Sequence, residues 1–468
     1  MTPGFELGAA IGPTDRGRLW RASREGEHDR IVRVLDPKQR DEPFQDGLRT
    51  LGQRQRPNLA RIVGDGFRGN DYYVEYAMDK PWQTLEERLA GCAHWADRLA
   101  VLDRVCDVLP HWWTSPVHPL GLNLRTIVLT EHGGTELAWL LPCPPVAVPT
   151  PRALFDLDTT ALAALAPEQV RGVGSDDRAQ DAYALGTLAA QALADRPAEV
   201  ASADRVAAQA RGALLGPTAD RAGIAPALRA APPVRQLFQT IARYRHTTPG
   251  ARPQGLSELR SALREAADRV ALAEWVRPEH PDQALRLLAD LARYDPAHRA
   301  RGLRLAAAIH VDGGEPAAAV HLLRWAVADA PDRTDLRRDL CDARWELFRA
   351  AADTDPAYRD DDALLVDLAL RKTDPGAGAT PYVRAAAVYR RRGDLYSVAE
   401  ELYAAVQADG SKLDVLYDYA ACLVALGGDK PAVIRGIAVR RIRGMVAAGI
   451  LTEKEGTRWE SDFDALLG

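Results

Sequence analysis

The residues that could do chemistry in this chain of 468 residues lie in a few short runs. Near the start, Gly12 and Gly17 enclose Pro13, Thr14, Asp15 and Arg16 between two strand-like stretches, Phe5-Glu6-Leu7-Gly8 and Leu19-Trp20. Glycines in such a loop let backbone N–H groups come close to a phosphate. A cation follows at Arg33, within Ile31-Val32-Arg33-Val34-Leu35, and Lys38 lies a few residues beyond it. Further on, His118-Pro119-Leu120-Gly121-Leu122-Asn123-Leu124-Arg125-Thr126 precedes the apolar run Ile127-Val128-Leu129. Asp156 and Asp158 could offer hard oxygen ligands to a metal ion. The chemistry to weigh is therefore phosphoryl transfer. It needs a loop over the phosphates, a paired cation on the nucleotide, metal ligands, and a base near the acceptor hydroxyl.

These groups need elements to hold them. Short β-prone runs with one helical stretch fill residues 5–77, including Tyr72-Tyr73-Val74-Glu75-Tyr76. From about residue 83 the period becomes helical, with Leu85, Leu89, Ala96, Leu99, Leu102, Val105, Cys106 and Leu109 in register. Ile127-Val128-Leu129 and Leu137-Ala138-Trp139 flank His132-Gly133-Gly134, a hairpin signature. Five prolines in 142–151 mark irregular backbone, and Asp181–Leu193 reads as a buried helix. The stretch 197–232 reads as a polar, Ala-rich insertion, open between an extra helix and a loop; everything past 256 is helical.

Composition removes several classes. A formal net charge of −5 gives no pull toward nucleic acid or an anionic membrane. Cysteines 92, 106, 143, 341 and 422 stand singly, without a CxxC pair, and the ten histidines lack metal spacing. The N-terminal residues do not read as a signal peptide, and no apolar run reaches the roughly 20 residues that span a bilayer. The expectation is a cytoplasmic, Ala- and Arg-rich protein of bacterial type.

The order of segments in 5–270 resembles a protein kinase. Ile11-Gly12 through Gly17-Arg18-Leu19-Trp20 is similar to the glycine loop between the first two strands, and Ile31–Leu35 to the third strand. Arg56-Pro57-Asn58-Leu59 resembles the segment before the fourth strand, and Tyr73-Val74-Glu75-Tyr76 the hinge. Ala166-Pro167-Glu168 matches the family's APE motif, Asp181-Ala182-Tyr183-Ala184-Leu185-Gly186 its central helix, and Ala251-Arg252-Pro253 its terminal arginine segment. Several pieces in order are far more specific than any one of them.

Carried over residue by residue, the resemblance implies a fold without its chemistry. The middle loop glycine is Thr14, leaving Gly12 and Gly17. The nucleotide-binding lysine falls on Arg33 and its glutamate partner on Gly47, so nothing there orients Arg33. The base aspartate falls on Gly121, the metal-binding asparagine on Thr126, and the metal-binding aspartate on Trp139, whose ring is expected to plug the cleft. The implied architectural residues remain: Glu168 and Arg252 as a bidentate pair, and Asp181 as the brace of the catalytic loop. Lys38 reads as a solvated loop lysine, Asp156 and Asp158 as a flexible polar loop, and His111, Trp112 and Trp113 as core packing.

Beyond about 281 a repeat emerges. Tyr294-Asp295-Pro296, Asp329-Ala330-Pro331 and Thr373-Asp374-Pro375 end similar helix pairs, and the first two prolines are 35 residues apart. Ala306, Ala307, Ala385, Ala386 and Ala420 are small residues where paired helices could approach, and Gly313-Gly314, Gly393 and Gly427-Gly428 would turn the chain. This resembles tetratricopeptide repeats.

The fold class expected is an α+β bilobal protein-kinase-like domain followed by an all-α helical-repeat domain, with lobes at 1–80 and 81–270 and repeats at 271–468. The function expected is a catalytically inactive pseudokinase scaffold with no cofactor and no metal. Its repeats would bind a protein partner such as an active kinase, a phosphatase or another signalling component, and neither nucleic acid nor membrane. The alternatives are a nucleotide-sensing pseudokinase and an atypical kinase or nucleotidyl transferase. The basic residues Arg390-Arg391-Arg392, Arg435, Arg440, Arg441 and Arg443 read as solvated repeat faces.

Overall fold

The computed structural model describes residues 5–24, 27–37, 42–53, 58–78, 81–109, 121–132, 135–144, 154–173, 177–194, 202–215, 224–291, 294–350, 361–374, 376–427 and 431–467. Lys38, Arg56, Pro57, His111, Trp112, Trp113, His118, the Gly133-Gly134 turn and Pro375 lie outside them. The chain divides into two compact units, Met1–His280 and Pro281–Gly468.

The first unit opens with β1 (Phe5–Thr14), β2 (Gly17–Arg24), β3 (Glu27–Leu35), α1 (Glu42–Gln53), β4 (Arg61–Arg68) and β5 (Asp71–Ala77). The strands form one antiparallel sheet in the order β1-β2-β3-β5-β4. Period-two alternation sends Tyr72, Val74 and Tyr76 to one face. There they meet Leu19, Ile31 and the Phe44 and Leu48 stripe of α1. A helix inserted between β3 and β4 is thus the second layer over the sheet.

The chain then crosses through β6 (Trp82–Thr84), α2 (Leu85–Ala90) and α3 (Trp95–Val108) to the hairpin β7 (Ile127–His132) and β8 (Thr135–Leu140). Strands β6, β7 and β8 make a small antiparallel sheet. Thr84 starts α2 with a capping box, its Oγ1 accepting from Glu87 N–H at 3.2 Å while Glu87 Oε2 accepts from Thr84 N–H at 2.8 Å. The remaining elements are α4 (Thr159–Ala164), α5 (Pro167–Val170), α6 (Asp177–Leu193), α7 (Ser202–Ala210), α8 (Pro226–Arg229), α9 (Pro232–Tyr244), α10 (Ser257–Ala267) and α11 (Arg269–Val276). Helix α6 is the hub: α3, α4 and α9 pack on it, and Ala182, Tyr183, Leu185, Leu188 and Leu193 are buried.

Within 197–232 the described residues fold into the unit. Helix α7 packs on α4 and α5. Its Gln209, 1% exposed, donates to Ala163 O and Tyr183 Oη, both at 3.2 Å, and to Leu165 O. A buried amide with three acceptors in reach explains why a polar-looking sequence is core: only tertiary packing supplies the partners.

The second unit is all helix among its described residues: α12 (Pro281–Leu288), α13 (Pro296–Asp312), α14 (Pro316–Asp329), α15 (Thr334–Ala350), α16 (Asp361–Arg371), α17 (Thr380–Arg391), α18 (Leu395–Ala408), α19 (Leu413–Ala425), α20 (Pro431–Ala447) and α21 (Glu453–Leu467). Each helix packs on the next along the chain. Alanines sit at the crossings, with Ala307, Ala319, Ala386, Ala405 and Ala420 buried. Arginine–aspartate pairs lace neighbouring helices, as in Arg299–Asp329 at 2.5 Å, Arg304–Asp335 at 2.6 Å and Arg435–Asp464 at 2.7 Å. Nearest-neighbour packing of this kind is how helical-repeat chains build a continuous core. No helix among the described residues is long and apolar enough to cross a membrane.

Candidate functional site

The site lies where the β1–β2 hairpin meets the segment 121–126 and the chain leaving β8. Thr14 pairs with Gly17, so the glycine loop is a tight hairpin with Asp15 and Arg16 at its tip. Thr14 Oγ1 donates to Gly17 O at 2.8 Å and accepts from Arg16 N–H at 3.2 Å. The hydroxyl that replaces the middle glycine therefore closes the turn from inside.

Arg33 projects from β3 and is 1% exposed. Its Nε donates to Tyr76 Oη at 3.2 Å, one terminal nitrogen to Thr14 Oγ1 and Arg16 O, both at 3.1 Å, and the other to Leu141 O at 3.3 Å. Tyr76 Oη in turn donates to Pro142 O at 2.6 Å. Arg33 is thus oriented by a tyrosine, a threonine and two carbonyls, none of them at position 47. Burial opposes the charge, but nearby Tyr76, Cys143 and Asp15 outweigh it, and the guanidinium pKa is held above its ordinary value. Burial pushes the Tyr76 hydroxyl up to about 12, so it stays a neutral donor. Four hydrogen bonds to a charged group, at about 1.5–3 kcal/mol each, offset a desolvation cost of several kcal/mol. Drawing Arg33 away to a phosphate would break all of them.

Gly47 lies in α1 and faces the chain after β8. A Cβ built there would stand 2.8 Å from Pro144 Cβ. Position 47 is thus a packing contact, where any Cβ would require a neighbour to shift.

Gly121 has φ +60, and a Cβ there would stand 3.3 Å from the Arg16 guanidinium carbon. Its carbonyl accepts from Thr126 Oγ1 at 2.9 Å. Asn123 Oδ1 accepts from the N–H groups of Arg125 and Thr126 at 2.8 and 3.0 Å. The segment is a self-closed turn with no carboxylate in it. Trp139 stands on β8 opposite Val128, its indole N–H donating to Thr130 Oγ1 at 2.9 Å. The Trp139 ring packs against the sheet cluster of Leu19, Ile31 and Tyr76, while past the strand the carbonyl of Leu141 accepts from Arg33 and that of Cys143 from Arg16 at the hairpin tip. The strand pairing runs through Leu140, and the chain turns toward the hairpin only after it.

Two arginines complete the site, and sequence reasoning assigned neither a role. Arg16, 3% exposed, donates to Cys143 O and contacts Asp15 at 3.2 Å. Arg125, 8% exposed, donates to Pro13 O at 3.1 Å and to both Glu86 oxygens at 2.7 and 3.2 Å, and pairs with Asp158 at 2.7 Å. A Cβ at Gly12, whose φ is +140, would lie 2.8 Å from that guanidinium. The signal in the sequence was an arginine at the loop tip and another beside Thr126. Asp158 also accepts from Ala161 N–H at 2.9 Å as the N-cap of α4, so it is tied to Arg125 and to a helix start and is not part of a flexible polar loop. Asp156 is exposed. Among the described residues no three His, Cys, Asp or Glu side chains gather as a metal site.

The structure brings Glu168 and Arg252 together. The pair is bidentate, at 2.6 and 2.8 Å, and both residues are nearly inaccessible. Arg252 also donates to Ala179 O and His246 O, each at 2.7 Å, with its guanidinium over the Tyr183 ring. Asp181 is buried one turn into α6, lining a small pocket with Gly121, Leu122, Gln169 and Asp15.

No protein-family model matches the chain, and no curated protein matches it in sequence. Among solved structures, two double mutants of the Mycobacterium tuberculosis PknI kinase domain align with it at 16% and 17% identity. They cover 57% of this chain and 97% and 98% of theirs, with TM-scores of 0.38 and 0.37. The topology itself carries the assignment: a five-stranded sheet with a helix between its third and fourth strands, a crossover to a β-hairpin, and a helical lobe around α6. The first unit is a bilobal protein-kinase-like fold, and an all-helical region follows it.

Proposed function

We propose that this chain is a non-catalytic interaction protein, a pseudokinase whose cleft is filled by its own side chains, joined to tetratricopeptide-like repeats that receive a protein partner. The partner class we favour is a signalling protein such as an active kinase or a phosphatase. One observation carries the reading. Arg33, at the nucleotide-lysine position, spends its guanidinium inside the protein on Thr14, Arg16 O, Tyr76 and Leu141 O. Gly47, Gly121, Thr126 and Trp139 support it, since none offers a carboxylate where phosphoryl transfer needs one.

The test is calorimetric titration of the full chain with ATP, alone and with Mg²⁺ or Mn²⁺. No heat of binding up to millimolar nucleotide is the expected result. Metal-dependent binding followed by transfer of phosphoryl or nucleotidyl groups would overturn the proposal. Binding without turnover would replace it with nucleotide sensing.

A further inference from the structure

We propose that the β1–β2 hairpin is the unit's built-in ligand: its tip joins the two lobes in place of a nucleotide, and Arg16, Arg33 and Arg125 clasp it there. The inference rests on the non-catalytic reading of the cleft and adds how the closed state is held. Arg33 and Arg125 come from other elements and meet the hairpin from different sides, while Arg16 belongs to its tip. Arg33 holds it from the sheet, through Thr14 Oγ1 and Arg16 O. Arg16 reaches from the tip to Cys143 O, in the chain that leaves β8. Arg125 holds it from the helical lobe, through Pro13 O.

The glycines fit this use. Gly12 leaves room for the Arg125 guanidinium, and Gly121 leaves room for Arg16. Positions that would serve phosphate and base in a working enzyme thus admit arginine side chains. Guanidiniums exposed by only 3%, 1% and 8% sit where water competes poorly for their hydrogen bonds. A nucleotide would need the volume and the donors that the tip already uses. A second bond set ties the lobes nearby, where Arg21 of β2 donates to both Glu87 oxygens of α2 at 2.9 and 3.0 Å.

Arg125 also couples the hairpin to α4. One terminal nitrogen of its guanidinium contacts both Pro13 O and Asp158, the N-cap of α4. Loosening Arg125 therefore frees both ends together, through a contact that adds to the direct packing of α4 on β1.

Hydrogen exchange of the full chain, read by mass spectrometry with and without ATP and Mg²⁺, tests the clasp. In the wild type, amides of residues 10–20 and 154–166 exchange slowly and nucleotide changes neither. Arg125→Ala speeds both segments by about tenfold or more, the factor that a tenfold change in a local opening constant produces, and leaves 281–468 unchanged. Arg16→Ala speeds the hairpin with the Arg125 pairs still present. If Arg125→Ala does not fold, Arg125→Lys, which keeps the charge but loses the fork, carries the same expectation. Hairpin amides that exchange freely in the wild type, or an Arg125 variant that loosens α4 alone, overturn the clasp while leaving the non-catalytic reading intact. Protected hairpin amides with measurable phosphoryl transfer overturn that reading alone, and nucleotide binding that releases the hairpin overturns both.

Discussion

Arg252→Met should cost the kinase-like unit about 3–5 kcal/mol, the range for leaving one member of a buried ion pair alone. The structure shows where this comes from. Removing the guanidinium takes the bidentate contact from the Glu168 carboxylate, which is 2% exposed, and removes a hydrogen bond from each of Ala179 O and His246 O. Methionine fills much of the stem's volume over Tyr183, so the loss is chiefly polar. Against a typical stability of about 5–15 kcal/mol, it is a large fraction. For a unit of this size it corresponds to a drop of about 10 °C in the unfolding midpoint. Urea-dependent hydrogen exchange of peptides from 160–260 reads this unit separately from the helical one. Adding Glu168→Gln to Arg252→Met should restore part of the loss by removing the buried charge, but not all, because Ala179 O and His246 O still lose the bonds that Arg252 gave them. A loss below about 1 kcal/mol, the level of an exposed pair, would refute the reasoning.

Gly47→Glu, which restores the residue type of an active kinase, should destabilise the first unit by about 1–3 kcal/mol through overpacking against Pro144 and should create no nucleotide binding, as chemical unfolding and calorimetry can check. Arg33→Lys should lower stability by about 2 kcal/mol, because one ammonium cannot reach the four acceptors the guanidinium joins, and should leave ATP unbound. In the helical unit, hydrogen bonds from Arg299 and Arg333 hold the carboxyls of Asp329 and Asp335 below the ordinary aspartate value of 3.8. A depressed folded pKa contributes stability that is fully present above the unfolded value and is lost as pH falls through the folded one. Acid titration followed by circular dichroism should therefore show helical loss setting in below about pH 4, and Asp329→Asn should flatten that dependence.

Local patterns carried much of this protein in its sequence. The β-prone run at Tyr72–Tyr76, the Ala166-Pro167-Glu168 run and the alanine-rich helix pairs are short-range signals, and short-range periodicity is set by backbone geometry alone. The absence of carboxylates at Gly47, Gly121 and Thr126 was equally legible, because a side chain's chemistry needs no coordinates. What fills the cleft was not. Arg16, Arg33 and Arg125 are far apart in sequence, and an arginine reads as a surface residue until its acceptors are known. Here they are backbone carbonyls of Pro13, Arg16, Leu141 and Cys143. Carbonyls are present at every residue, so no residue type marks which of them a distant guanidinium will find. Gln209 and Asp158 followed the same rule, since their partners come from other elements or from a helix start. Sequence determined the elements and the residue types at these positions; tertiary structure decided which arginines are buried and on which acceptors, because burial of a charge is decided by long-range partners and not by local pattern.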